Sequence, residues 1–273
     1  MASILNNIAA LGASRQLTLT SAGLQQTIQR LTTGRRINQA SDDAAGLAIS
    51  NKLNADIKIA TQGQRNANDG VSYLQVADGV LNEVTNLLTR ASELAQQAQS
   101  GTISDTNRTA LDAEFQNIIK NMADIGLNTK FNGTAVFNTA TALSVAVAGY
   151  STINVTVSSI AQSATTALGL TASTNALSTV ASAGASATLI ASALDSVSSL
   201  RATIGASEAQ LNSIGNSLGI QVQNFTSAYS QITDANIADE VVNLTKFQIL
   251  NQSGTSALAQ ANTASQQILA LLR

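Results

Sequence analysis

Residues 53–88, LNADIKIATQGQRNANDGVSYLQVADGVLNEVTNLL, are the stretch that decides the fold. Apolar and small residues recur there in steps of four and three, which is the spacing of one face of a continuous helix. The chain contains no Pro, so nothing here breaks a helix. The face that we predict to be buried consists of Leu53, Ile57, Ala60, Gln64, Ala67, Val71, Leu74, Asp78, Leu81, Thr85 and Leu88.

We predict that this helix runs from about Ala44 to about Ser100, a length of roughly 80 Å at 1.5 Å per residue. Each glycine inside it weakens the helix by about 1 kcal/mol relative to Ala. The glycines are Gly46, Gly63, Gly70 and Gly79. A helix of this length needs packing partners, and small residues let neighbouring helices approach it closely.

Two shorter helices flank the long one. The first ends before Gly34, and the polar segment after it contains Asp42 and Asp43. We interpret these two residues as helix caps or as polar residues of the linker, and not as metal ligands, because no His and no acidic cluster lies near them. The second shorter helix can be capped by Ser104 or Asp105 and stopped by Gly126. Its buried face is predicted to contain Leu111, Phe115, Ile118, Met122 and Ile125.

The middle of the chain, about residues 128–185, changes to Ala, Ser, Thr, Val and Gly. Apolar and polar residues alternate at 143–147 and at 153–157, with Gly149 between them, which predicts a β-hairpin. Residues 159–186 are of low complexity and support no prediction. Helical spacing returns from about Ala187 to Thr233, and a last helix begins near Asp234.

The predicted fold is therefore mainly α, with long antiparallel helices from both chain ends forming a coiled-coil-like bundle and a small β-hairpin insert. We predict three domains. Residues 1–43 with 234–273 form an inner domain of terminal helices and connecting segments. Residues 44–130 with 187–233 form a long-helix core, and residues 131–186 form an outer insert.

The composition excludes several classes of catalytic and metal-binding site. The chain has no Cys and no His, which excludes thiol or Ser-His catalysis and the usual zinc sites. Its net charge of -2 and its 3% aromatic content do not indicate a nucleic-acid or anionic-membrane partner. We predict no enzymatic activity, no cofactor and no metal.

The two ends of the chain carry almost no charge. Residues 1–29 contain only Arg15, and residues 247–272 contain no charged side chain. Both ends mix Leu, Ile and Ala with amides and hydroxyls, so they are too polar to span a membrane and too uncharged to stay dispersed as exposed helices. We predict that they are assembly arms, disordered in the monomer and helical once docked among other protein.

Residues 31–50, LTTGRRINQASDDAAGLAIS, closely resemble bacterial flagellin. Residues 248–262, QILNQSGTSALAQAN, and the ending Leu271-Leu272-Arg273 resemble the same family, as does Phe131-Asn132-Gly133-Thr134. The resemblance covers roughly residues 1–137 and 187–273. Flagellins often carry a Pro near Ala264, where this chain has none.

The resemblance implies the structural subunit of the bacterial flagellar filament, an extracellular helical homopolymer for swimming motility. It also implies an export chaperone, the flagellar type III export apparatus, and capping and junction proteins as partners, without nucleic acid or membrane insertion. A hook–filament junction protein of the same family is the alternative, and residues 44–50 and 248–262 favour flagellin. An enzyme on a flagellin scaffold would need a zinc-binding HExxH motif, which a chain without His cannot supply.

Two sets of residues are candidate sites. The predicted assembly seam consists of apolar residues of the two arms: Ile4, Ile8, Leu11, Leu24, Ile28, Leu31, Leu250, Leu258, Ile268, Leu269 and Leu272. The resemblance also implies a surface for the flagellin-sensing Toll-like receptor, with packing between subunits as the alternative role. That surface consists of Leu88, Arg90, Glu93, Leu94 and Glu114.

Overall fold

The computed structural model describes residues 7–137, 142–147, 153–156 and 176–271. This part of the chain contains five α-helices and two small antiparallel sheets, which confirms the predicted fold class. The helices are α1 (Ile8–Thr33), α2 (Ala44–Ala98), α3 (Asp105–Asn128), α4 (Val180–Thr233) and α5 (Ile237–Leu271). The strands are β1 (Lys130–Phe131), β2 (Thr134–Ala135), β3 (Ala142–Val145) and β4 (Ile153–Thr156).

The chain divides into two compact units. The first unit contains Met1–Ile57 and Gln223–Arg273, and the second contains Lys58–Val222. Helices α2 and α4 contribute residues to both units. The three-domain division remains a prediction.

The helix boundaries follow local capping chemistry. Gly34 adopts the left-handed conformation with φ 69° after α1, and its N–H donates to the Arg30 carbonyl at 2.8 Å. Asp43 caps α2, since its Oδ1 accepts from the Gly46 N–H at 2.8 Å, which supports the capping interpretation. Ser104 caps α3 as predicted, with its Oγ accepting from the Asn107 N–H at 3.4 Å.

Three predicted boundaries are wrong. Gly126 does not stop α3, because it is buried inside the helix and Thr129 is the C-cap. Helix α4 starts at Val180 and not near Ala187, within the segment whose low complexity supported no prediction. Helix α5 starts after Asp234, because Asp234 pairs with Arg35 in an isolated antiparallel bridge.

The core of the second unit runs along α2. The predicted residues Ala60, Ala67, Leu74, Leu81 and Leu88 are all buried there. The four predicted positions between them are only half-buried: Gln64, Val71, Asp78 and Thr85. The fully buried residue precedes each of them by one position: Gly63, Gly70, Ala77 and Val84. Small residues thus occupy half of the seam, and a search for large apolar side chains overlooks them.

The predicted β-hairpin is confirmed in β3 and β4, which pair antiparallel with Leu143 opposite Val155. Ala146 and Val147, which were predicted to continue the first strand, lie just after β3, and Gly149 lies outside the described part of the chain. A second hairpin, β1–β2, was not predicted from the sequence. Its two-residue turn has positive φ at Asn132 (49°) and Gly133 (80°), so the Asn-Gly pair was the available signal.

Aromatic and amide side chains hold both hairpins on α2. The Tyr73 hydroxyl donates to the Val136 carbonyl at 3.2 Å, and its ring meets Phe131 edge-on at 5.7 Å. Burial raises the pKa of Tyr73. The Asn66 side-chain amide donates to the Ala146 carbonyl at 2.9 Å. The hairpins are therefore packed parts of the second unit.

Among the described residues, only α4 is long and apolar enough to cross a membrane by length and composition. The core helix of a soluble protein passes the same test. Ile190, Val197, Ile204, Leu211 and Leu218 of α4 are all buried in the hydrophobic core. These five residues thus pack within the chain.

Candidate assembly surface

Helices α1 and α5, the two arms, pack against each other antiparallel. The residues on each arm that lose exposure recur in steps of three and four, the spacing of a coiled-coil seam. On α1 they are Ala10, Ala13, Leu17, Thr20, Leu24, Thr27 and Leu31. On α5 they are Glu240, Leu244, Phe247, Asn251, Gly254, Leu258 and Ala261. Six of these fourteen residues are large and apolar, but all six are only half-buried: Leu17, Leu24, Leu31, Leu244, Phe247 and Leu258. The residues that are fully buried in the seam are Thr20, Thr27 and Glu240.

Polar contacts join the arms at intervals along the seam. Near the chain ends, the Asn7 amide donates to the Ala261 carbonyl at 3.0 Å. In the middle, the Asn251 amide donates to the Ser21 hydroxyl at 3.0 Å. These contacts fix which residue of α1 lies opposite which residue of α5.

A salt bridge joins the two arms at the end of the seam nearest the connecting segments. Arg30 Nη1 lies 3.3 Å from Glu240 Oε1, and Glu240 is only 8% exposed. Arg30 Nε and Glu240 Oε2 are buried without a hydrogen-bond partner among the described residues. Because separating such a pair would leave a buried charge alone, it favours one alignment of the arms.

The segments that lead into and out of the arms are hydrogen-bonded to each other. The Arg36 N–H donates to the Thr233 carbonyl at 2.6 Å, and the Ala235 N–H donates to the Gly34 carbonyl at 2.9 Å. Arg36 Nη2 also donates to the Ile232 carbonyl at 2.9 Å. The bases of both arms are thereby held together.

Asp42 organises the loop between α1 and α2. Its carboxylate accepts from the backbone N–H groups of Asn38 at 3.0 Å and Gln39 at 3.1 Å, and from the Gln26 amide at 3.1 Å. These bonds, that from Asn38 above all, lower the pKa of Asp42. Its role is structural, and it belongs to the polar linker and not to the helix cap, which is Asp43.

Several large apolar side chains of the two arms point outward and are exposed. On α1, Ile8 is 74% exposed, Leu11 73% and Leu19 60%. On α5, Val242 and Ile249 are each 65% exposed. Exposed large apolar side chains on helices with so few charges mark a surface for protein–protein contact.

The predicted seam residues divide between the two faces. Leu24, Leu31 and Leu258 lie in the seam between the arms, whereas Ile8, Leu11, Ile28 and Leu250 are exposed. Ile4 and Leu272 lie outside the described residues, as do the side chains of Ile268 and Leu269. The sequence reasoning overlooked Phe247 and Leu17 in the seam because their partners across it are Gly23 and Gly254.

The five residues of the implied receptor surface also divide. Leu88 and Leu94 are 0% and 1% exposed and belong to the core of the second unit. Arg90 lies at the surface, where its Nη2 is 2.8 Å from Glu114 Oε1 and its Nη1 is 3.0 Å from Glu93 Oε2. Hydrogen bonds to Glu114 and then Glu93 raise the pKa of Arg90. Only this charged trio is accessible.

Paired terminal helices that expose large apolar side chains and few charges are typical of a structural subunit that associates with other copies of itself. Residues 4–142 match the model of the bacterial flagellin N-terminal helical region, and residues 187–272 match that of the C-terminal helical region. The chain belongs to the bacterial flagellin family. It is a structural subunit that polymerises into the extracellular flagellar filament for motility, and the hook–filament junction alternative is not favoured.

Relatives of similar length support this assignment. The flagellar filament 30.7 kDa core protein of Treponema maltophilum is 34% identical over 281 residues, with 98% of each chain covered. The flagellin of Halalkalibacterium halodurans is 35% identical over 268 residues, with 98% of each covered. The crystal structure of Bacillus cereus flagellin matches 60% of this chain and 94% of its own at 28% identity and a TM-score of 0.48.

Proposed function

We propose that the arms assemble the filament by folding as they dock. The observation that carries this proposal is the composition of the seam between α1 and α5. Its Leu and Phe residues are only half-buried, and the residues that it buries fully are Thr20, Thr27 and Glu240, so the pair gains little stability by itself. The exposed residues Ile8, Leu11, Ile28 and Leu250 then gain their burial from neighbouring subunits.

Hydrogen exchange on the monomer and on the filament tests this proposal. We expect amides in 8–31 and 247–271 to exchange rapidly in the monomer and to be protected in the filament, because only docking supplies enough burial. Amides of Leu74–Leu88 in the core of the second unit serve as an internal control and should be protected in both states. Protection of the arms in the monomer would refute the proposal.

The partners implied by the family belong to the same proposal. A cytoplasmic chaperone would hold the C-terminal arm, the type III apparatus would export the unfolded chain, and capping and junction proteins would contact the filament's ends. The chain would carry out no enzymatic reaction. The uncharged composition of residues 247–272 supports the need for a chaperone, since an exposed arm of that kind is prone to associate.

Recognition by the Toll-like receptor would rest on the accessible trio Arg90, Glu93 and Glu114. Arg90→Ala should weaken receptor signalling by the monomer about tenfold or more, because it removes the residue that organises both carboxylates. Arg65→Ala, an exposed charge on the same helix, serves as the control. Unchanged signalling by Arg90→Ala would leave the trio with a packing role only.

A further inference from the structure

Two glycines in the arms each lie beneath a large side chain of the opposite arm. A methyl group on Gly23 of α1 would lie 2.7 Å from Phe247 Cε1 and Cζ of α5. A methyl group on Gly254 of α5 would lie 3.3 Å from Leu17 Cδ1 of α1. Each arm therefore contributes one notch and one side chain that fills the other arm's notch.

The notches are specific positions and not a general feature of glycine in these helices. Gly12, which is also in α1, has no atom within 4 Å of the position where its methyl group would lie. Gly23 costs the helix about 1 kcal/mol relative to Ala, as any interior glycine does. That cost is offset at Gly23 by the close approach of the Phe247 ring.

We propose that Gly23–Phe247 and Gly254–Leu17 form a register lock that determines how the N-terminal and C-terminal arms pair in the filament. The coiled-coil spacing alone permits alignments that differ by seven residues. After such a shift, Phe247 would meet Gln16 or Arg30 in place of Gly23. The shift would also break the salt bridge between Arg30 and Glu240. Steric overlap at Phe247 and an unpaired buried charge therefore both disfavour the shifted alignments.

The register lock and the polar contacts along the arms specify the same alignment of α1 and α5. The connector bonds at Gly34 and Thr233, the Arg30–Glu240 pair and the Ser21–Asn251 bond all belong to one alignment. A seven-residue shift would leave the same faces outward but would move one arm along the other, so this alignment determines the relative height of the outward apolar residues on the two arms. The notch residues are therefore determinants of assembly although they do not lie on the outward faces.

Cross-linking in assembled filaments tests the alignment, because the chain has no native Cys. The variant Ser21→Cys with Asn251→Cys should react with a short thiol–thiol reagent, since these side chains are 3.0 Å apart. The variant Ser14→Cys with Asn251→Cys reports the alignment shifted by seven residues and should not react. Denaturing gels separate cross-links within one chain from those between chains.

The notch itself is tested by adding a methyl group. Gly23→Ala should raise the critical concentration for polymerisation about tenfold and reduce the cross-link between positions 21 and 251 several-fold. Adding Phe247→Leu should restore both, because a shorter side chain leaves room for the methyl group. Gly12→Ala controls for helix propensity and should leave the cross-link unchanged.

Two results would overturn the lock. One is a Gly23→Ala filament that forms at the normal concentration with the normal cross-link. The other is efficient reaction of the pair at positions 14 and 251. Both are distinct from failure of folding upon docking, which hydrogen exchange of the unmodified monomer measures independently.

Discussion

The Arg108 side chain caps the C-terminal end of the long helix α2. It is 6% exposed and lies beyond the end of α2, where its Nε donates to the Ala98 carbonyl and its Nη2 to the Ser100 carbonyl, each at 2.9 Å. Asp105 accepts from Nη1 at 2.7 Å. A cation here satisfies carbonyls that the helix leaves unpaired and complements the helix dipole.

Arg108→Met should therefore destabilise the second unit by about 2–3 kcal/mol, since the carbonyls at the end of α2 lose their donors while the buried stem is largely retained. Urea denaturation of the monomer measures this difference. Arg65→Met on α2, which is exposed, should change the free energy of unfolding by less than about 0.5 kcal/mol. Equal effects of the two substitutions would show that the guanidinium does not stabilise this turn.

At the scale of elements, glycine in α2 has opposite roles at different positions. A methyl group on Gly70 would lie 3.0 Å from Leu211 Cδ1 of α4 and 3.0 Å from Val145 Cγ2 of β3. The same group on Gly79 would meet nothing within 4 Å. Gly70 is thus needed where a helix and a hairpin both approach α2, whereas Gly79 is only a weak helix former.

Gly70→Ala and Gly79→Ala should consequently shift stability in opposite directions. Gly79→Ala should stabilise the protein by up to about 1 kcal/mol through helix propensity. Gly70→Ala should destabilise it by about 1–2 kcal/mol, because crowding of Leu211 and Val145 exceeds that gain. Urea denaturation of the two variants makes the comparison, and stabilisation by both would contradict the packing argument.

The elements also show where sequence reasoning succeeds and fails. Helices α1, α2 and α3 and the β3–β4 hairpin follow from local periodicity and from caps such as Gly34 and Ser104. The β1–β2 hairpin was missed although Asn132-Gly133 signalled it. The predicted buried face of α2 was wrong by one residue at alternate positions. The buried residues there include Gly63 and Ala77, which are buried because they are small and not because they are hydrophobic.

At the scale of the whole molecule, the two arms depend on each other. Helix α1 meets α5 through Phe247, Asn251 and Gly254, and the connectors join their bases. The second unit, residues 58–222, has its own hydrophobic core and includes none of these arm residues. Loss of the C-terminal arm should therefore affect assembly and not the folding of that core.

Deleting residues 247–273 should abolish polymerisation, because α1 loses its partner and the filament loses an assembly surface. Sedimentation and electron microscopy measure the polymer, and hydrogen exchange of Leu74–Leu88 reports on the core, which should remain protected. Filaments formed by the truncated chain would show that the C-terminal arm is dispensable.

The sequence by itself determined the helical architecture, the capping residues, the absence of charge at the ends and the family, because these depend on local spacing, composition and motifs. Only the tertiary structure decided which face of each arm meets the other. Apolar and small residues occur on both faces, with Ile8 and Leu11 exposed while Leu17 and Leu24 lie in the seam. Without charges to mark a solvated side, hydrophobic periodicity could not choose between the two faces. The fit of Phe247 against Gly23 depends on residues far apart in the chain, so it becomes visible only after they are brought together.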